Sequence, residues 1–126
     1  MIAGLNVLVV EDDLEIAWAI AEALNEVGAF VIGPMSGVAD TLKELMLRKN
    51  IRAAILDTHL IDGDIIPVAK ILSSRKIPIV LYTDAPFLEM MLEYEGVINI
   101  VPKFSSIIYL LKVLELTIAS AKLPNV

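Results

Sequence analysis

The chain has 126 residues, 57% of them hydrophobic and 21% charged, with a formal net charge of −6. That length predicts one domain, residues 1–126, with a core that needs no staples, and the absence of cysteine excludes disulfides, thiolate metal sites and thiol nucleophiles. The acidic balance speaks against nucleic-acid binding, no apolar run approaches the roughly 18 residues of a membrane span, and the N-terminus lacks a signal-peptide pattern, so a cytoplasmic location away from membranes is expected.

Short apolar runs alternate with longer stretches of helical period. Residues 5–10 (LNVLVV) form the first run, rich in Val and Leu and without polar alternation. Ile16, Ile20, Leu24 and Val27 then mark one face of a helix over about 14–27, ended by Gly28. A second run at 29–33 leads through Gly33-Pro34 to a helix whose inner face is Val38, Leu42, Leu45 and Met46, with Ser36 as its cap. The third run, 53–57, ends in Asp57; after Asp62-Gly63-Asp64 comes a helix marked by Ile65, Ala69 and Leu72, with Pro67 in its first turn. The fourth run is 78–82, followed by a helix over 86–95 stopped by Gly96. The fifth is 97–101, followed by a helix marked by Ile107, Leu111, Leu114 and Ile118 and capped by Ser105 or Ser106.

Unalternating apolar strands are buried on both faces, as in a parallel sheet covered by helices. Five such units predict an α/β doubly wound five-stranded parallel sheet, a three-layer sandwich of strand order 2-1-3-4-5. Ligands in such sheets bind beyond the carboxyl ends of the strands. Those ends carry Glu11-Asp12-Asp13, Asp57, Thr83-Asp84 and Lys103. In the predicted order the first and third strands are adjacent, so Asp12 and Asp57 become neighbours.

Clustered carboxylates repel unless a cation sits between them, and Mg²⁺ prefers hard oxygen ligands. An aspartate can act as nucleophile and form an acyl phosphate. Phosphoryl transfer spreads charge over three oxygens, and Mg²⁺, Lys103 and the Thr83 hydroxyl can each meet one. The chain has neither a Gly-x-Gly-x-x-Gly nor a Gly-x4-Gly-Lys-Ser/Thr sequence, which disfavours dinucleotide and phosphate-loop enzymes.

Val9-Val10-Glu11-Asp12-Asp13, Leu56-Asp57, Thr83 and Lys103, in this order and each at a strand end, resemble the receiver domain of two-component response regulators. The resemblance runs from about residue 6 to 121 and implies the flavodoxin-like fold. It implies that Asp57 is the phosphoacceptor and that Glu11, Asp12, Asp57 and the His59 backbone carbonyl hold Mg²⁺. It also implies that Thr83 swings to bond a phosphoryl oxygen and that Lys103 pairs with the phosphoryl group, and with Asp57 before that. The donor is then a histidine kinase or histidine phosphotransfer protein. The chain is read as a signalling domain with only self-directed phosphoryl transfer, not as an enzyme with an external product.

Three positions depart from the family pattern. Phe104 follows Lys103 where proline is usual, and a cis bond before a non-proline costs about 3–4 kcal/mol, so a trans 103–104 bond or a reshaped loop is expected. Ile100 stands where the family carries a switch aromatic, and Asp84 where a very small residue follows the threonine. These changes favour a rival reading, a receiver-like interaction module that is not phosphorylated. A third reading, a metal-dependent phosphatase, needs a second acid two residues past Asp57, where His59 stands. Two surfaces also stand out. Trp18 shares a helix face with Glu15, Glu22 and Glu26 and is a candidate partner anchor. The helices at 86–95 and from 107 onward carry surplus apolar residues, a candidate homodimer face.

Overall fold

The computed structural model describes residues 2–84 and 93–122. The elements run β1 (Asn6–Val10), α1 (Leu14–Glu26), β2 (Phe30–Met35), α2 (Val38–Leu47), β3 (Ala53–Leu56), β4 (His59–Leu60), β5 (Gly63–Asp64), α3 (Ile66–Ser74), β6 (Ile79–Thr83), β7 (Ile98–Pro102) and α4 (Ile107–Lys122). The five long strands form one sheet of order β2-β1-β3-β6-β7, and every pairing in it is parallel. This is the predicted 2-1-3-4-5 order. The two-residue strands β4 and β5 make a separate antiparallel ladder that the sequence pattern does not announce.

The apolar core lies on both faces of this sheet. Leu8, Val10, Ala54, Leu56, Ile79 and Leu81 point to one side, with Leu45, Val68 and Leu72 from α2 and α3. Val7, Val9, Ala53, Ile55, Val80 and Tyr82 point to the other, with Ile20 and Leu24 from α1 and Leu110, Leu114 and Ile118 from α4. The alternation of sides along each strand is the period of two in β geometry. The central strands β3 and β6 are buried throughout, as predicted, whereas the sheet's outer strands are not. Phe30 on β2 is 62% exposed, and Val101 is the one fully buried residue of β7. An outer strand has a neighbour on one flank only, and the helices cover it incompletely.

The helix ends correct three details. Val27 is the C-cap of α1 and is exposed, and Met46 near the end of α2 is exposed, so neither belongs to the inner face. The N-cap of α2 is Gly37, not Ser36, and it supplies no side-chain bond. Asp62, far along the chain, does this work. Its carboxylate accepts from Val38 N at 2.7 Å and Ala39 N at 3.1 Å. These two amide bonds hold the Asp62 carboxyl below its usual range. Of the two serines proposed to cap the last helix, Ser106 does so: its Oγ accepts from Tyr109 N at 3.1 Å. The helix expected over 86–95 lies largely outside the described residues.

β1 and β2 do not stay in simple register. Leu8 pairs with Ile32 but Val10 pairs with Met35, so β2 carries an extra residue at Gly33-Pro34. Gly33 has φ +106, and a Cβ there would sit 2.6 Å from Met35 N and 2.9 Å from Val9 O, so only glycine fits. The irregularity brings Met35 O within 2.9 Å of Glu11 N, which anchors the first residue of the acidic triplet.

Candidate functional site

Ladder bonds deliver the site residues to one edge. Asp57 N donates to Val10 O at 2.9 Å, fixing the end of β3 beside the end of β1. Lys103 N donates to Thr83 O at 3.1 Å, tying the residue after β7 to the end of β6. Asp13 turns the chain into α1, its Oδ1 accepting from Ile16 N at 3.1 Å.

Glu11, Asp12 and Asp57 each offer a carboxylate oxygen, and these oxygens all lie within 4.8 Å of one another. Glu11 and Asp57 are buried, and Asp12 is half-buried. Lys103 reaches into this cluster, its Nζ 2.6 Å from Asp57 Oδ2 and 2.8 Å from Glu11 Oε1. Glu11 Oε2 accepts from Asp13 N at 3.2 Å, and Asp57 Oδ1 lies 3.4 Å from His59 N. Burial pushes the Glu11 carboxyl up to about 7, against the Lys103 and Asp13 hydrogen bonds that pull it down. Burial alone would lower the Lys103 ammonium; the hydrogen bonds and charges of Asp57 and Glu11 outweigh it and hold it above its usual value.

The candidate phosphoacceptor, metal-ligand, threonine and lysine residues therefore stand at this edge, but not all in contact. Glu11, Asp12, Asp57 and Lys103 form the cluster. Thr83 is buried, and its Oγ1 lies 2.7 Å from Thr58 Oγ1. Thr58 is a site neighbour that the sequence reading passed over. His59 is exposed, with Nδ1 3.2 Å from Thr58 Oγ1. Asp84 is exposed, and the Lys103 ammonium pairs with Asp57 and Glu11 instead. Three close carboxylates with hard oxygen donors fit Mg²⁺ better than a thiol- or imidazole-preferring metal.

No protein-family model matches the chain, and no curated protein does. Solved structures do match. A response regulator receiver protein from Sinorhizobium medicae superposes with TM-score 0.81 at 17% identity, covering 94% of this chain and 97% of that one. The non-phosphorylated HemR receiver domain from Leptospira biflexa gives 0.77 at 24% identity, covering 97% and 99%. The fold is that of a receiver domain. A Burkholderia pseudomallei response regulator, solved with a phosphorylated aspartic acid, calcium ion and citrate, gives 0.73 at 20% identity over 92% of this chain and 69% of that one.

Within the receiver fold, the three departures have definite places. Among the described residues the cis peptide bond is Gly33–Pro34, so the 103–104 bond is trans as expected. Phe104 instead adopts φ +69 and is 84% exposed. A bulky residue in the left-handed region is strained, and Lys103 reaches the cluster with this residue after it in place of a proline. Ile100 is half-buried against the core layer shared with α2 and α3. Tyr82 is buried with its OH donating to Ser105 O at 2.8 Å, and Tyr94 donates to Ile77 O.

Trp18 is 65% exposed, flanked by exposed Leu14, and Glu15, Glu22 and Glu26 are exposed with it. On α4, Ile108, Tyr109 and Leu116 are exposed. The apolar residues 87–92 of the other expected helix lie outside the described residues. Among the described residues no helix is long and apolar enough to cross a membrane.

Proposed function

We propose that the chain is a single receiver domain, residues 1–126, that accepts a phosphoryl group onto Asp57 and changes a protein interface in response. The donor is a phosphohistidine on a histidine kinase or histidine phosphotransfer protein, and the setting is cytoplasmic signalling. The carrying observation is the Lys103 ammonium 2.6 Å from the Asp57 carboxylate, inside a cluster closed by Glu11 and Asp12. The receiver fold of the matched structures, and the phosphorylated aspartic acid of one of them, support the same reading.

In the step, an Asp57 carboxylate oxygen attacks the donor phosphorus; the new P–O bond forms as the P–N bond breaks, and the imidazole leaves with its electron pair and takes up a proton. Lys103 neutralises the incoming oxygens, exchanging part of its contact with Asp57 for the phosphoryl group. Thr83 supplies a hydroxyl donor to another. Glu11, Asp12, Asp57 and the His59 backbone carbonyl would hold Mg²⁺, which when bound supplies positive charge to the phosphoryl oxygens. The chain turns over no external substrate. The Trp18 face is the donor-docking surface, and the exposed apolar residues of α4 belong to a homodimer or output face.

Incubation with acetyl phosphate and Mg²⁺, followed by intact-mass measurement, tests this. One phosphoryl adduct is expected, lost in Asp57→Asn. Ile100, Asp84 and the strained, exposed Phe104 favour the rival, a receiver-like interaction module that is not phosphorylated. An absent adduct, with a histidine phosphotransfer donor also tried, would decide for that rival.

A further inference from the structure

Two threonine hydroxyls face each other beside the acidic cluster. Thr58 and Thr83 are 0% and 1% exposed, and their Oγ1 atoms lie 2.7 Å apart. That is the usual length of a hydroxyl–hydroxyl hydrogen bond, and burial removes the competition of water. Thr58 directly follows Asp57, so the same turn carries the carboxylate and the hydroxyl that grips Thr83.

We infer that Thr58 is a positioning residue, a latch whose hydroxyl holds the Thr83 side chain and must release it before Thr83 can bond a phosphoryl group on Asp57. The inference rests on the phosphoacceptor reading above and adds a barrier to it. A hydroxyl carries a single proton. Either hydroxyl can be the donor in this contact; when it is Thr83, that proton is not offered to a phosphoryl oxygen. In either direction, a Thr83 hydroxyl that turns to a phosphoryl oxygen on Asp57 has to give up its part in this 2.7 Å contact. The half-buried aliphatic Ile100 has no ring or hydroxyl with which to follow that rotation. The latch therefore lies within the pair Thr58–Thr83, at the ends of β3 and β6, and not in an aromatic on β7.

A latch makes phosphorylation slower than the acidic cluster alone allows. Thr58→Val keeps the branched shape and removes the hydroxyl. It is expected to accelerate phosphorylation by acetyl phosphate about three- to tenfold, the range of one net hydrogen bond. Thr58→Ser keeps the hydroxyl and is expected to stay at the wild-type rate. The decisive readout is a double-mutant cycle with Thr83→Ala: the acceleration must vanish when Thr83 has no hydroxyl to release. Thr58→Ala serves in place of the valine variant should that one fail to fold. Equal rates for wild type and Thr58→Val overturn the latch while leaving the phosphoacceptor reading intact. So does a slower variant, or an acceleration that persists with Thr83→Ala. Wild type that forms no adduct at all overturns both.

Discussion

The carboxyl edge of the sheet has two halves built to different standards. The acidic half, at the ends of β1 and β3, keeps the full receiver pattern in Glu11, Asp12 and Asp57. It stands on strands with neighbours on both flanks, and its backbone is pinned by the Met35 O and Val10 O bonds. The other half, at the ends of β6 and β7, holds every departure: Asp84, Ile100 and Phe104. Its lysine follows an outer strand and precedes a residue at φ +69. Residues that must meet at sub-ångström tolerance sit where the fold allows no slack. Of the residues that vary from the pattern, Ile100 lies on the outer strand β7 and Phe104 in the loop after it, while Asp84 follows the central strand β6 and is exposed.

Removing the lysine that bridges the halves is the harshest test. Lys103→Met leaves the Glu11 and Asp57 carboxylates buried without their cation, and a broken buried ion pair costs about 3 kcal/mol. Urea melts at pH 7 should show that loss, and millimolar Mg²⁺ should recover much of it by neutralising the same carboxylates. A variant as stable as wild type would mean the two halves are not coupled through Lys103.

The acidic half alone is probed by pH. The Glu11 carboxyl titrates near 7 in the folded chain against an ordinary 4.5. The folded state thus holds this proton more tightly than the unfolded one. Its stabilising contribution is complete below about 4.5 and is lost as pH rises through about 7. Thermal melts of wild type minus Glu11→Gln should show this decline, and saturating Mg²⁺, which competes with the proton, should flatten it. A difference that does not change over that window would remove burial as the cause.

The mildest test falls on the rebuilt half. Phe104→Gly exchanges a strained left-handed residue for one that adopts the conformation without penalty, and Phe104 is 84% exposed, so little packing is lost. A gain of about 0.5–1 kcal/mol is expected in chemical denaturation, after the extra chain entropy of glycine is allowed for. Destabilisation would show that the ring makes contacts that matter.

The sheet and the acidic cluster were legible because their signals are local and strong. Unalternating Val, Ile and Leu runs mark doubly covered strands, and each strand end carries its own charged residue. What was not legible depends on three-dimensional context. Phe30 reads like a core strand residue, and only its place on an outer strand exposes it. Met46 follows the fully buried Leu45 but turns outward and is exposed. Thr58 sits between Asp57 and His59 as one more small polar residue, and nothing in its neighbours says that it faces Thr83, 25 positions on. The trans bond before Phe104 was legible, since it follows from covalent energetics alone.

Asp62 illustrates another consequence of non-local chemistry, this time for the order in which the chain is assembled. The first turn of α2 has no side-chain cap of its own and takes its two amide bonds from a carboxylate 24 and 23 residues further on. During synthesis, residues 38–47 leave the ribosome before that carboxylate exists outside it. The native cap of α2 is therefore completed only once residue 62 is in place. In this chain the second helix is finished from behind, by the turn between β4 and β5, a few residues past Asp57.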